Sequence, residues 1–557
     1  MSAAHTSAAA AAVSAEDVVT FPISSNPHVA MYHLNRPRAL NSLNQPMVDL
    51  LREKVDRWID EKETRVVVGR GEGRGFCAGG DVKQVTQDAR ASSEGLAAAL
   101  DFFRCENELD YLLALLKTGK VPRRLGDADT EGPTEGKEVD PDGKTYIVFM
   151  DGPTKTELIQ CLFAILPPPF TVGGGAGLSY PAPLRIANES TIFAMPETKI
   201  GFSPDVGAQF YLSQLDGAVG AWLAITGESL FGRAVYELGI ATHYIPKAKI
   251  AEVVAAIEAL PKENLTTARL SALLLTFSAP PTTSASEAST NKTPDAPSLI
   301  AGDVRNLLDR AFSKPTVPKI LAALHAAIDG KDKQTWSPRA LEWAQQTVKT
   351  IGERSPTGMK IALLNWQGAR KLRSLRAQLD KDLAMCCAFM TATKDMFAGV
   401  DQVLVHKSKE PAAWDPATLD DPRLEEGKLQ TTWFDRKKST TLDAAPELGL
   451  LPPSGGEHLW GTFRAWGLPS EQIVQEYITG SRSSSDAFAL TRTELKQRLW
   501  SDLVAERGLD ESALGVSQFK AEVEAKVEEV CERQCVLEGE GEAKGKKYLK
   551  WHPVAKL

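Results

Sequence analysis

Two glycine-rich turns, each downstream of a β-type apolar run and ahead of a helix-type stretch, constrain this chain more than any other feature. The first is "GFCAGGD" (75–81), after "TRVVVGRG"; the second is "TVGGGAGLS" (171–179), downstream of "YIVFMDG" (146–152). Short β-branched runs of this kind read as buried strands. Glycine at the turns lets backbone N–H groups approach a ligand closely and point together at one atom. Two such donors at helix starts are what an oxyanion hole needs, each worth about 3–4 kcal/mol in a transition state. A dinucleotide fingerprint has a similar composition, but "GGGAG" lacks the GxGxxG spacing, and no acid follows about 20 residues later at a strand end. The phosphate-loop pattern fails for want of Gly-Lys-Ser/Thr.

A third stretch, "FAMPETKIGFSPDVG" (193–207), places Glu197 and Asp205 among prolines and glycines in an otherwise apolar region. Charge is costly there, which favours a chemical role for the pair. The plain alternative is two ordinary loop charges.

The rest of the chain alternates first and turns helical later. Residues 17–70 read as strand, strand, helix, strand, with Val48, Leu51, Val55, Trp58 and Ile59 on one face of "QPMVDLLREKVDRWIDE". A helix follows at about 95–118, then an acidic Gly/Pro-rich stretch, 122–145, read as a surface insertion. Residues 153–170 intervene between a strand and the second glycine turn. Strands and turns alternate to about 250, and helices dominate 251–420 around a Ser/Thr/Pro linker, 278–298. Beyond about 420 the character changes. "LPPSGGEHLWGTFRAWG" is loop-like, Thr491 and Glu494 form a capping box, and Phe519, Val523 and Val527 make a helical stripe. The first sixteen residues, small and Ser/Ala-rich, read as disordered.

Composition sets outer bounds. With 43% hydrophobic and 24% charged residues the chain can bury a sizeable core, and a net charge of −8 argues against a wholesale nucleic-acid binder. Seven cysteines without a repeated CxxC fit free thiols and a reducing compartment. Cys531 and Cys535 are one helical turn apart, but no third and fourth ligand stands near, so no metal site is expected. No apolar run approaches the roughly 18–20 residues of a membrane span. The first arginine is Arg36, so no ordinary transit peptide or signal sequence is visible.

Taken together, "HLNRPRALNSLN", "GFCAGGDVKQV", "GGGAGLS" and "FAMPETKIGFSPDVG" resemble the crotonase (enoyl-CoA hydratase/isomerase) superfamily, and within it the 3-hydroxyisobutyryl-CoA hydrolases of mitochondrial valine breakdown. "RSPTGMKIAL" (354–363) and "DMFAGVDQVLVHKSKEPAAWDP" (395–416) resemble that family's C-terminal segments. The resemblance implies an α/β fold: a crotonase-type ββα spiral core over 17–250, completed by the helical region to 420. The extra, mostly helical 421–557 is an extension that ordinary hydrolases of the family lack.

It also implies the site. Gly80 and Gly174 match the oxyanion-hole glycines, Glu197 the catalytic glutamate and Asp205 the second acid; Glu106, in "FFRCEN", falls at a substrate-contacting glutamate. Asn107 stands where a tyrosine is usual, and Gly177 where hydratases carry a further acid, which favours hydrolysis over hydration. Glu197 acts as base on water or attacks the thioester carbon itself, and Asp205 binds the substrate's 3-hydroxyl and helps set the protonation of Glu197. Arg38 is a candidate partner for CoA phosphate, or a solvated turn charge. No cofactor is implied, since coenzyme A belongs to the substrate. His33, His243 and Cys77 read as structural. Fungal and plant relatives of this hydrolase also resemble a small-subunit protein of the mitochondrial ribosome. Docking to such an assembly through 421–557, with Tyr548 and Trp551 set among terminal lysines, is therefore a second expectation, and both relationships imply a mitochondrial protein.

Overall fold

The structure, a computed structural model, describes residues 18–120, 122–124, 143–151, 171–172, 174–280, 298–453, 456–482, 490–538 and 547–552. Strand β1 (Val19–Thr20) pairs antiparallel with β2 (Val29–Leu34). Helix α1 (Gln45–Asp60) starts where the Asn44 side chain accepts the Met47 N–H at 3.2 Å. Its buried face carries all five apolar residues expected from the period, plus Met47. Burying side chains of this size is worth about 1.5–3 kcal/mol each, which is why α1 forms as a packed helix rather than by propensity alone.

After β3 (Val66–Gly71) the chain enters the first glycine turn, then α2 (Val82–Ala91) and the long α3 (Ser93–Leu115). Strands β4 (Arg123–Arg124), β5 (Thr145–Phe149) and β6 (Thr171–Val172) lead to α4 (Gly174–Ser179). Then come β7 (Leu184–Ala187), β8 (Ile192–Ala194), β9 (Leu230–Phe231) and β10 (His243–Tyr244). Among the described residues the main sheet runs β1-β2-β3-β5-β7-β10, parallel from β2 onward. A small sheet runs β6-β8-β9.

Alternate strand residues face opposite cores. Val66, Val68, Ile147, Phe149 and Ile186 pack with Ile250, Val253 and Leu270 on one side. Tyr32, Val67, Tyr146 and Val148 join α1 and α3 on the other. Because β3 and β5 are adjacent and parallel, with Val66 opposite Thr145, the chain leaves both strands at the same sheet edge. Ligand crevices in such sheets lie at that carboxyl edge.

The helices Glu471–Thr479, Arg492–Arg507 and Leu514–Gln534 form the later part of the extension. The Thr491–Glu494 capping box is present, and Phe519, Val523 and Val527 are buried as the stripe required. The loop-like stretch before them is sewn into the core. Arg185, fully buried, donates to the carbonyl of Phe463 at 2.7 Å, and Glu457 accepts the N–H groups of Leu375 and Arg376 at 2.6 and 3.1 Å. Arg305 reaches Asp309 at 3.0 Å and Glu471 at 2.9 Å, and Arg533 also pairs with Glu471.

One expectation changes here. Arg123–Arg124, expected within a surface insertion, pair as β4 with β11 (Leu450–Leu451) of the extension. Tyr548–Trp551 form β13, antiparallel to β12 (Cys535–Glu538), with Leu549 buried and Tyr548 and Trp551 half-buried. Residues 1–16, 125–142, 153–170 and most of the 278–298 linker lie outside the described residues.

Candidate active site

The first glycine turn is fixed from the neighbouring "RPRALN" segment. Asn41, fully buried, donates its Nδ2 hydrogens to the carbonyls of Glu72 (2.9 Å) and Gly75 (2.7 Å). Leu43 bridges the turn: its N–H goes to Gly79 O at 2.8 Å and its carbonyl accepts from Asp81 N–H at 2.8 Å. In such a parallel bridge the Gly80 N–H takes no part in the pairing. Asp81 caps α2 and pairs with Arg36 at 3.1 Å. Gly174 opens α4, where a first-turn N–H has no intrahelical partner.

The two turns touch. A Cβ on Gly175 would stand 2.4 Å from the Cys77 carbonyl oxygen, so only glycine admits this approach. Cys77 packs fully buried behind the turn, its thiol directed at Gly79 O and pushed up by burial, as a structural cysteine requires. His243, likewise buried, sits between Thr242 and Ser271 and is pushed down to about 3, so it stays neutral and structural.

Glu197 lies in the short 3-10 turn Pro196–Ile200 immediately after β8. It is 5% exposed, and its Oε2 has no hydrogen-bond partner among the described residues. Burial, then the nearby Asp205, raises its pKa well above the carboxylate range. Asp205 is also 5% exposed and is pushed up to about 7 by burial and the Asp382 carboxylate. The Cys386 thiol donates to Asp205 Oδ2 at 3.6 Å. Next to it, Val206 adopts φ +51°, a left-handed conformation that a β-branched residue takes only where the surroundings impose it. Asp382 holds the residue that follows: its Oδ2 accepts the Gly207 N–H at 2.9 Å, while Asn365 and Gln378 hold Oδ1 at 2.8 Å each.

Glu106 lies in mid-α3 and is 2% exposed, not on a solvated face. Its Oε1 is 3.7 Å from the point where a Gly80 Cβ would stand, against the first turn. Asn107, also buried, leaves both side-chain polar atoms without partners among the described residues. Arg38 stands exposed on the Pro37–Ala39 turn, outside the buried cluster. The sequence reading missed Asp110, Asp382 and Cys386. Asp110 follows Glu106 by one turn of α3, and Cys386 follows Asp382 by one turn of the helix Leu375–Thr391, so i, i+4 spacing was the available signal. Among the described residues no group of side chains has the makings of a metal site, and no single helix is long and apolar enough to cross a membrane.

This arrangement pairs buried acids with glycine turns at one sheet edge, and comparison with known proteins gives the lineage. The family described as enoyl-CoA hydratase/isomerase matches residues 29–122 and 169–427. The chain belongs to that family. It is 32% identical over 450 residues, 80% of the chain and 76% of the relative, to the Small ribosomal subunit protein mS47 of Neurospora crassa. It is 28% identical to 3-hydroxyisobutyryl-CoA hydrolase 1 of Arabidopsis thaliana, over 77% of the chain and 94% of that protein. Identity to the mitochondrial 3-hydroxyisobutyryl-CoA hydrolase of Xenopus laevis is 30%, over 70% of the chain and 82% of the relative. Among solved structures, a carnitinyl-CoA dehydratase from Mycobacterium thermoresistibile matches with TM-score 0.55 at 26% identity, covering 80% of the chain and all of that protein. An enoyl-CoA hydratase from Rhodobacter sphaeroides matches with TM-score 0.53 at 24% identity, over 74% of the chain and 96% of that protein, and shows the fold alone. The crotonase-type α/β fold and the relationship to the 3-hydroxyisobutyryl-CoA hydrolases stand as expected from the motifs.

Proposed function

We propose that the protein hydrolyses a short 3-hydroxyacyl-CoA thioester, 3-hydroxyisobutyryl-CoA in valine breakdown, to the free acid and CoA, in the mitochondrion. The observation that supports this most is Glu197: a buried acid with an unpartnered oxygen, just beyond β8, which runs parallel to β6 and so leaves the small sheet at the edge where Gly174 opens α4. Gly80 and Gly174 supply the amides. Water adds to the thioester carbonyl while Glu197 accepts its proton, and the oxyanion forms against the two N–H donors. The C–S bond then breaks, and the sulfur leaves as thiol with the proton Glu197 holds. The alternative, attack by Glu197 itself, gives a transient anhydride that water opens. Asp205 receives the 3-hydroxyl and, by its charge, sets the protonation of Glu197. Arg38, exposed near the first turn, contacts CoA phosphate. CoA enters as part of the substrate, and the reaction calls for no further cofactor.

The test is thiol release from 3-hydroxyisobutyryl-CoA by purified protein and by Glu197→Gln. Turnover by the native chain with a loss of at least about a hundredfold in the variant is expected. Equal rates would remove Glu197 from the mechanism.

The likeness to the ribosomal protein of Neurospora crassa, over 80% of the chain, favours a second role: association with the small ribosomal subunit through 421–557, with or without hydrolysis. Because that segment carries core residues such as Phe463, the test is co-sedimentation of the intact chain with small subunits rather than truncation. A chain that stays at the top of the gradient would remove this role.

A further inference from the structure

Asp110 is the acid that the hydrolytic reading leaves unused, and its placement is specific. It is 2% exposed, and neither carboxyl oxygen has a hydrogen-bond partner among the described residues. One helical turn from Glu106, it bears on the other glycine element. A Cβ on Gly177 would stand 2.4 Å from Asp110 Oδ2 and 2.8 Å from Val206 Cβ. The bare Gly177 backbone therefore makes the room that the carboxyl group fills, one turn into the helix that Gly174 opens. Glu106 meets the first turn and Asp110 the second, so one face of α3 lays two acids along both turns.

From this geometry we infer that Asp110 is a specificity-determining residue, a neutral hydrogen-bond donor to the oxygen of a hydroxyl group on the acyl chain. The inference rests on the acyl-CoA reading of the site. A hydroxyl offers one donor and accepting lone pairs, so its recognition in a dry pocket takes one acceptor and one donor. Asp205, beside Val206, is the acceptor. Asp110 supplies the donor: it lies buried with both oxygens unpartnered among the described residues, and burial and the facing Glu106 and Asp205 carboxyls all raise its pKa, which favours the protonated form. No cation pairs with Asp110 among the described residues to oppose this. A thioester lacking the hydroxyl leaves both acids unpaired, and sites built on such pairing discriminate strongly against the analogue.

Binding tests this independently of turnover. Dissociation constants are measured for two non-hydrolysable CoA thioethers, identical except that one carries a hydroxyl on the third carbon of the chain. The native protein is expected to favour the hydroxylated compound by about tenfold or more. Asp110→Leu should abolish that preference. Asp110→Asn, which keeps an N–H donor, should retain most of it, and Gly177→Ala, which displaces the carboxyl, should lose it as Asp110→Leu does. An unchanged ratio in folded Asp110→Leu, or no preference in the native protein, overturns the assignment. A preference in a protein that releases no thiol would support Asp110 while refuting hydrolysis.

Discussion

The Cys386 thiol donates to Asp205 Oδ2 at 3.6 Å from the helix Leu375–Thr391, across 181 residues of sequence. The same helix, one turn earlier, holds the Gly207 N–H through Asp382. Asp205 is thus gripped on its carboxyl group and on its backbone neighbour by a single helix.

This grip predicts a shift in the pH profile. Burial and the Asp382 charge raise Asp205 to about 7, and the Cys386 contact acts against that rise. In the proposed hydrolysis the acidic limb of the rate profile reports the Glu197–Asp205 pair, whose ionisations are linked. Cys386→Ala removes the donor that favours the carboxylate, so the limb should move to higher pH while the plateau rate stays within a few-fold. Hydrolysis measured from pH 5 to 9 decides it; a limb that stays in place or moves to lower pH would show that the thiol does not tune the pair.

A stability cost should accompany this site. Asp205 ionises near 3.8 unfolded and near 7 folded, so between those values the native state binds the extra proton. Stability therefore falls as pH rises through that window and is level above it, by at most about 4 kcal/mol from this group. Asp205→Asn should be more stable than the native chain at pH 8, and the difference should shrink toward pH 4. Urea midpoints at the two pH values measure it. A native chain whose stability rises across the window by more than the variant's would contradict the assignment.

At the contact between the turns, a single methyl group is the probe. Gly175→Ala places its Cβ 2.4 Å from the Cys77 carbonyl, a backbone atom that cannot swing aside. Overpacking of this kind costs about 1–3 kcal/mol. Since the strain falls between the two turns, thiol release should drop by at least tenfold even where the variant remains folded by circular dichroism. Native-like turnover would mean that the turns need not touch for the reaction.

How much of this was legible depended on whether a signal was local. The amphipathic face of α1, from Val48 to Ile59, and the stripe Phe519–Val527 are periodic, and periodicity survives in a bare sequence. Glu197 and Asp205 stood out because acids among prolines and glycines in an apolar stretch are locally costly, and the structure buries both. Asp110 was not: in "FFRCENELDYLL" it looks like any polar residue of a helix, and only the missing side chain of Gly177, 67 positions away, gives it a place. The same holds for Phe463 and Glu457, whose loop has no period and whose partners, Arg185 and the N-terminus of the helix Leu375–Thr391, lie far off in the chain. Sequence marks 421–557 as different in character; only packing shows it is not a detachable appendage.

That integration gives the last prediction. Arg533, with 3% of its side chain exposed, pairs with Glu471 and Glu529 and lies 3.5 Å from Asp309, on the helix Gly302–Phe312 within the family-matched region. Arg464 and Lys526 of the extension likewise neutralise Asp216 of the core, which holds that carboxyl far below its usual range. Breaking a buried pair by removing one partner leaves an uncompensated charge and costs about 3–5 kcal/mol. Arg305 still faces Glu471 at 2.9 Å, so Arg533→Met should fall at the lower end of that range. Because the network joins extension to core, the loss should appear as one earlier transition, seen alike by far-ultraviolet circular dichroism and by the fluorescence of the tryptophans, which lie in both the extension and the core. Two separate transitions, or fluorescence and circular dichroism curves that do not coincide, would mean that the extension unfolds independently and that these ion pairs do not bind the two into one cooperative unit.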